Sequence, residues 1–354
     1  MKRILIIQTA FLGDVILSTP LIKALRELFP NSFISFLLIP ETKNVLENNP
    51  HLNEILVYDK RKKKGLGSFL QILAKIKERK FDLVIIPHRS LRSALLAYLS
   101  GIPQRIGFNK STGSFLFTQK MVYPLNVHEV DRNLSLLSGF DFHQSDTAPE
   151  LFPSPEDFSY ARKLLHDSGP MDPNSDIREE DKIVGIAPGS VWATKRCLPE
   201  RFAEVADLLI KKAGAKVVFL GSEEDQKLCL EIANQMVEKP VILAGKTNVL
   251  QSAAIISFCK VVLSNDSAPV HIASAMRKPV VAIFGSTIPE FGFAPYGEGH
   301  MIIEKKMSCR PCGIHGRKKC PKKHFRCMKE ITTEEVFQAV VSLSLLAVRL
   351  CSPP

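Results

Sequence analysis

The chain has 354 residues, 45% of them hydrophobic and 23% charged, which describes a globular protein longer than one core usually serves, so two domains are expected. Lysine and arginine number 47 against 36 aspartate and glutamate, and the formal net charge of +11 implies an anionic partner: nucleic acid, a phosphorylated lipid surface or a nucleotide. The aliphatic content excludes a disordered chain, and only 19 Gly and 23 Pro exclude collagen-like or low-complexity sequence.

Residues 1–7 imitate the head of a signal peptide, but Gln8 and Gly13-Asp14 break the apolar run and no small-residue cleavage site follows, so a cytoplasmic protein is expected. Buried strands are predicted at 3–7, 33–38, 54–57 and 83–86, with helices between them at 14–28, 42–48 and 69–79. Residues 144–181 place Pro149, Pro153, Pro155, Pro170 and Pro173 among acidic and polar residues and read as the connection between domains, with one helix at 155–166. A second series follows, with strands at 183–187, 216–220, 241–243, 261–263 and 280–284 and helices at 199–212, 224–236, 249–258 and 269–275. A Cys- and Lys-rich segment, 307–329, precedes a last helix at 333–350, whose apolar part carries Gln338 and Arg349 and is too short to span a membrane. This alternation implies parallel sheets with helices on both faces: an α/β fold of two doubly wound, Rossmann-like domains with a cleft between them. Ligands of such sheets sit at the carboxyl ends of the strands, so the loops there are where chemistry is sought.

The first strand runs into Gln8-Thr9-Ala10-Phe11-Leu12-Gly13-Asp14. Asp14 is either a first-turn acid favoured by the helix dipole or a carboxylate at the mouth of the cleft acting as general base. One glycine where a dinucleotide fingerprint needs three argues against an NAD-dependent oxidoreductase. In the second half, Gly189 lets backbone approach a ligand, while Ser190, Thr194, Lys195 and Arg196 supply donors for an anion or else form a solvated basic loop. The stretch Ser264-Asn265-Asp266-Ser267-Ala268-Pro269-Val270-His271 carries a strand into a helix whose Pro269 suits the first turn, which leaves the Ser267 and Ala268 amides for an anion. Asp266 and His271 can equally serve as a cap and a core-edge histidine. Two anion-type loops on one domain and a carboxylate on the other suit a phosphate-bearing donor and a separate acceptor.

At these segments the chain resembles the ADP-heptose:lipopolysaccharide heptosyltransferases, the glycosyltransferase family 9 enzymes of Gram-negative bacteria. The likeness is carried by Phe11-Leu12-Gly13-Asp14-Val15-Ile16-Leu17-Ser18-Thr19-Pro20, by Ala187-Pro188-Gly189-Ser190 with Thr194-Lys195-Arg196, and by Asn265-Asp266-Ser267-Ala268-Pro269-Val270-His271. Pro103-Gln104-Arg105-Ile106-Gly107-Phe108 and Phe284-Gly285-Ser286-Thr287 add to it, in the family's order over nearly the whole chain. The resemblance implies a GT-B fold: an acceptor-binding domain at 1–168, completed by helix 333–350 crossing back onto it, and a nucleotide-sugar-binding domain at 182–330. It implies inverting transfer of L-glycero-D-manno-heptose from ADP-heptose to the lipid A-linked core oligosaccharide. Residues 189–196 look most like the branch that adds the second heptose onto the first, with Cys197 standing where that branch carries a tryptophan. Asp14 falls on the family's proposed base and Lys195 on its phosphate-binding lysine. Ser267, Ala268 and His271, with Asp266 beside them, fall on the diphosphate loop, and Glu223 on the ribose or adenine wall. Inversion needs one in-line displacement, hence one base and no enzymic nucleophile. That base must be ionised, so the Asp14 pKa is expected to be little raised. No Asp-x-Asp occurs in the sequence, and no cofactor is expected for the transfer.

An acceptor bearing carboxylates and phosphates directs attention to the basic residues of the first domain: Lys62, Lys63 and Lys64, then Arg89, Arg92, Arg105, His128 and Arg132, with Gly13 beside the base. The lysine run is either a solvated loop or an electrostatic dock on the anionic inner face of the inner membrane. The spacing Cys309-x2-Cys312-x7-Cys320-x6-Cys327 allows a structural zinc, with His315 and His324 as substitutes, two disulfides, or free thiols. Two other readings compete: a sugar transferase of the same fold with a different nucleotide sugar, and a nucleic-acid-binding protein. The latter needs aromatics interleaved with a basic stripe; only Phe325 interrupts 318–326, so nucleic acid is not expected as a partner.

Overall fold

The computed structural model describes residues 1–60, 66–141, 146–167 and 181–350, and the chain divides into two compact units, Met1–Phe152 and Pro153–Pro354. The first runs β1 (Arg3–Ile7), α1 (Leu12–Ile16), α2 (Thr19–Leu28), β2 (Phe33–Leu38), β3 (Glu54–Val57), α3 (Leu66–Glu78), β4 (Leu83–Ile86), α4 (Leu91–Leu99), β5 (Gln104–Phe108), β6 (Gln119–Met121) and α5 (Glu129–Leu134). Its six parallel strands lie in the order β3-β2-β1-β4-β5-β6. Ile4–Ile7 and Leu83–Ile86 are fully buried, as central strands covered on both faces must be. Leu5, Ile7, Val84 and Ile86 pack with Leu37, Leu56, Ile72 and Ile76, each such side chain contributing roughly 1.5–3 kcal/mol on burial. The strand order turns back between β1 and β4, which opens a crevice at their carboxyl ends.

The single helix expected over 14–28 is two helices. Pro20 has no N–H to offer the Ile16 carbonyl, and the Thr19 hydroxyl takes that carbonyl instead at 2.8 Å, so the chain bends at Leu17-Ser18. The helix expected at 42–48 is a 3-10 turn, Pro40–Leu46. Strands β5 and β6 escape the aliphatic-run criterion because they read Gln-Arg-Ile-Gly-Phe and Gln-Lys-Met, and β6 is the sheet edge.

The second unit runs α6 (Pro155–Asp167), β7 (Ile183–Ala187), α7 (Pro199–Ala213), β8 (Lys216–Phe219), α8 (Gln226–Ala233), β9 (Val241–Ile242), α9 (Val249–Phe258), β10 (Val261–Asn265), α10 (Ala268–Ala275), β11 (Val280–Phe284), β12 (Met301–Glu304), α11 (Arg326–Lys329) and α12 (Thr333–Leu350). Its parallel sheet has the order β12-β11-β10-β7-β8-β9 and turns back between β7 and β10. Helix α6 packs in the second unit: Phe158 meets Phe258 edge-on at 6.2 Å, and the Tyr160 hydroxyl donates to the Lys246 carbonyl at 3.1 Å. Helix α12 turns Val336, Phe337, Val340 and Leu343 into the second core beside Phe202, Val205 and Leu209. Among the described residues no helix is long and apolar enough to cross a membrane.

Candidate active site

Both crevices are occupied by the loops that the sequence singles out. In the first unit β1 delivers Gly13 and Asp14 into α1, where Asp14 accepts the Phe11 amide at 3.1 Å and thereby also plays the first-turn structural part. Burial pushes its carboxyl up to about 7, the negative charge of Glu129 adds to the rise, and the Phe11 amide and Arg89 pull the other way. This corrects the expectation of a little-raised pKa: the loop holds a half-buried Asp14 near a second carboxylate.

That second carboxylate comes from α5. Glu129 is buried, its own pKa raised by burial, and it forms an ion pair with Arg132. The Arg132 side chain is 4% exposed and also donates to the Pro124 carbonyl at 3.2 Å and the Val127 carbonyl at 2.9 Å. Arg132 is therefore engaged inside the unit, and His128 caps α5 by accepting the Val130 amide at 3.1 Å. Arg89 and Arg92 are exposed; the Arg89 guanidinium lies 4.4 Å from the Tyr123 ring centroid, with Arg132 4.8 Å from the same ring. Arg105 donates to the Leu116 carbonyl at 2.8 Å. Lys62, Lys63 and Lys64 lie outside the described residues. His88, which the sequence did not single out, has its pKa lowered to about 4 by burial, with Lys60 and Arg89 reinforcing the effect. Its Nδ1 lies 3.0 Å from the Thr9 hydroxyl, whose carbonyl accepts Lys60 at 2.9 Å, so a neutral imidazole braces the loop ahead of Asp14.

In the second unit the loops after β7 and β10 converge. Asn265 clamps both arms of the first: its amide donates to the Pro188 carbonyl at 2.7 Å and its oxygen accepts the Cys197 amide at 3.0 Å. A Cβ at Gly189 would overlap the Asp225 carboxylate, which Ser222 holds in place, so any larger residue there must move that side chain. Ser190 is buried, and its carbonyl accepts Arg196 at 2.6 Å. Lys195 pairs with Asp266 at 2.6 Å, and Thr287 donates to the same carboxylate oxygen at 2.6 Å, so Asp266 aims the lysine. The Thr194 hydroxyl is taken up by Ser286 at 2.9 Å and by the Arg317 amide at 2.7 Å, which makes Thr194 a brace rather than a free donor. Ser267 heads α10 and donates to the Gly189 carbonyl at 3.1 Å; the Ser267 and Ala268 amides open this helix and have no intrahelical acceptor. His271 is buried one turn on, and Glu223 is exposed in the 3-10 turn that ends at Asp225.

The Cys-rich segment lies against this site, since the Cys312 amide donates to the Ser286 carbonyl at 2.8 Å. Cys309 Sγ is 3.7 Å from His324 Nε2, but Cys327 is 4% exposed and packed in the second core. Among the described residues no three His, Cys, Asp or Glu side chains converge to hold a metal ion, and Cys309, Cys312, Cys320 and Cys327 are free thiols.

The family model of glycosyltransferase family 9 (heptosyltransferase) matches residues 69–324. The chain is 26% identical over 305 residues to lipopolysaccharide heptosyltransferase 2 of Escherichia coli K12, covering 82% of this chain and 84% of that one. A crystal structure of a family 9 glycosyltransferase from Veillonella parvula superposes with a TM-score of 0.85 at 27% identity, covering 98% of both chains. That of E. coli ADP-heptose lipopolysaccharide heptosyltransferase II superposes with a TM-score of 0.77 at 24% identity, covering 98% of this chain and 99% of that one, and shows the shared two-domain GT-B fold. An acid beside one sheet's crevice, an aimed lysine with helix amides at the other's, and this likeness over most of the sequence converge: the chain belongs to glycosyltransferase family 9, the heptosyltransferases.

Proposed function

We propose that the protein transfers L-glycero-D-manno-heptose from ADP-heptose to the lipid A-linked inner-core oligosaccharide, adding the second heptose onto the first with inversion. The observation that carries the reading is Asp14, a carboxyl raised to about 7 and therefore a competent base near neutral pH, at the crevice of one sheet. In this reading the acceptor binds on the first unit and the donor on the second. Asp14 takes the proton of the acceptor hydroxyl as that oxygen attacks the anomeric carbon; the bond to the diphosphate breaks on the opposite side, and ADP leaves. Lys195 and the Ser267 and Ala268 amides stabilise the charge growing on the diphosphate, His271 stands behind that helix terminus, and Glu223 and Gly189 border the nucleoside. Asp266 keeps Lys195 in place. The relatives named above as heptosyltransferases support the sugar and the acceptor.

The transfer takes no cofactor, because proton removal and charge stabilisation are both supplied by the chain. Metal analysis of protein purified without chelator tests a zinc clip at Cys309–Cys327: one equivalent requires the thiols to regroup, and under about a tenth removes the clip. The acceptor's lipid places the protein in the cytoplasm at the inner membrane, with Arg89 and Arg92 toward the acceptor's anions. The deciding experiment sets ADP-heptose beside UDP- and GDP-sugars with a delipidated core acceptor. Turnover with ADP-heptose alone is expected; preference for another nucleotide sugar would make the chain a different transferase on the same fold.

A further inference from the structure

Helix α4 reads Leu-Arg-Ser-Ala-Leu-Leu-Ala-Tyr-Leu, apolar nearly all round. Such helices are ordinarily enclosed. Its inner face, Ser93, Ala94, Leu96 and Ala97, is buried, yet Leu91, Leu95 and Tyr98 form a second apolar stripe at i, i+4 and i+7, with Leu91 42% and Tyr98 50% exposed. The β5–β6 connection widens this stripe. Gly113, at φ 90°, presses its backbone on α4, where a Cβ would come within 2.8 Å of Leu91 and 3.0 Å of Ala94. The connection then presents Phe115, 74% exposed. The segment that carries the stripe is one-sided in charge. Residues 83–128 contain Arg89, Arg92, Arg105, Lys110 and Lys120 and no aspartate or glutamate at all. Four of these cations, Arg89, Arg92, Lys110 and Lys120, are exposed.

We infer that the outer face of α4 with the Phe115 turn docks on an anionic lipid bilayer. Exposed Tyr and Phe beside aliphatics suit the interface between headgroups and acyl chains, and the cations suit acidic headgroups. A second copy of the chain is the poorer occupant, since a twofold contact would set the same four exposed cations against themselves. This rests on the proposed lipid-linked acceptor only for its purpose: docking would bring the crevice between β1 and β4 to a membrane-held substrate.

The test is flotation of the full chain with phosphatidylcholine vesicles, with and without phosphatidylglycerol, in the absence of any sugar substrate. Binding is expected only with phosphatidylglycerol, weakening with salt, and Tyr98→Ser with Phe115→Ser is expected to lower it by at least about tenfold. The same double variant should keep its melting temperature and its turnover on delipidated acceptor, which separates this inference from the proposed chemistry. Equal binding by wild type and double variant, or no binding to the acidic vesicles, would overturn it. So would a concentration-dependent dimer abolished by the same two substitutions, which would assign the face to a second copy.

Discussion

The surroundings of Asp14 cost the fold stability whenever its carboxyl is ionised. Its carboxyl titrates near 3.8 when unperturbed and at about 7 in the fold, so the folded state holds the proton more tightly. The stabilisation this represents is present below the unfolded value and is lost as pH rises from about 4 to about 7. Asp14→Asn should therefore melt higher than wild type at pH 8, with the difference gone near pH 4, as paired thermal scans will read. With Asp14 as the proposed base, the acid limb of kcat/KM is expected to rise through about pH 7. Glu129→Gln removes the carboxylate that raises Asp14 and leaves the Arg132 charge less neutralised; both changes move that limb to lower pH. An unmoved limb would show that Glu129 acts on Asp14 only through packing. Lys195→Ala should weaken donor binding by roughly 10–100-fold, the worth of a charge-assisted hydrogen bond to phosphate, and leave the acceptor KM alone.

At the scale of elements, glycine and the strand-end loops were the readable signals. Gly189 and Gly13 mark turns where strands meet helices, and Pro269 announces α10, so the loops that hold Asp14, Lys195 and Ser267 were legible from local pattern, while the roles expected of those residues came from the family resemblance. Their supports were not, because sheet order rather than sequence spacing brings them near. Thr194 meets Ser286 across 92 positions and Arg317 across 123, and Glu129 reaches Asp14 from the far side of the first unit's sequence. The helix expected over 14–28 failed at one residue, Pro20, whose effect on the Ile16 carbonyl outweighed the apolar periodicity. Gly189→Ala tests the loop geometry: its methyl must displace the Asp225 carboxylate from its Ser222 partners, costing about 1–3 kcal/mol in stability. An unchanged melting temperature would mean that the Asp225 turn yields freely.

For the whole molecule, the alternation of strands and helices and the proline-rich stretch at 144–181 were enough to announce two α/β units. An amphipathic helix does not name the sheet it will cover. Phe158 on α6 and Phe337 on α12 are ordinary apolar positions until Phe258 and the α7 core receive them. The central claim is that a base on one unit and a diphosphate cradle on the other serve a single displacement. Asp14→Asn separates these two parts when ADP-heptose binding by calorimetry is measured beside single-turnover transfer to the core acceptor. The account expects a donor Kd within about twofold of wild type and a transfer rate lower by roughly 10²–10⁴-fold. A variant that transfers heptose at the wild-type rate would contradict it.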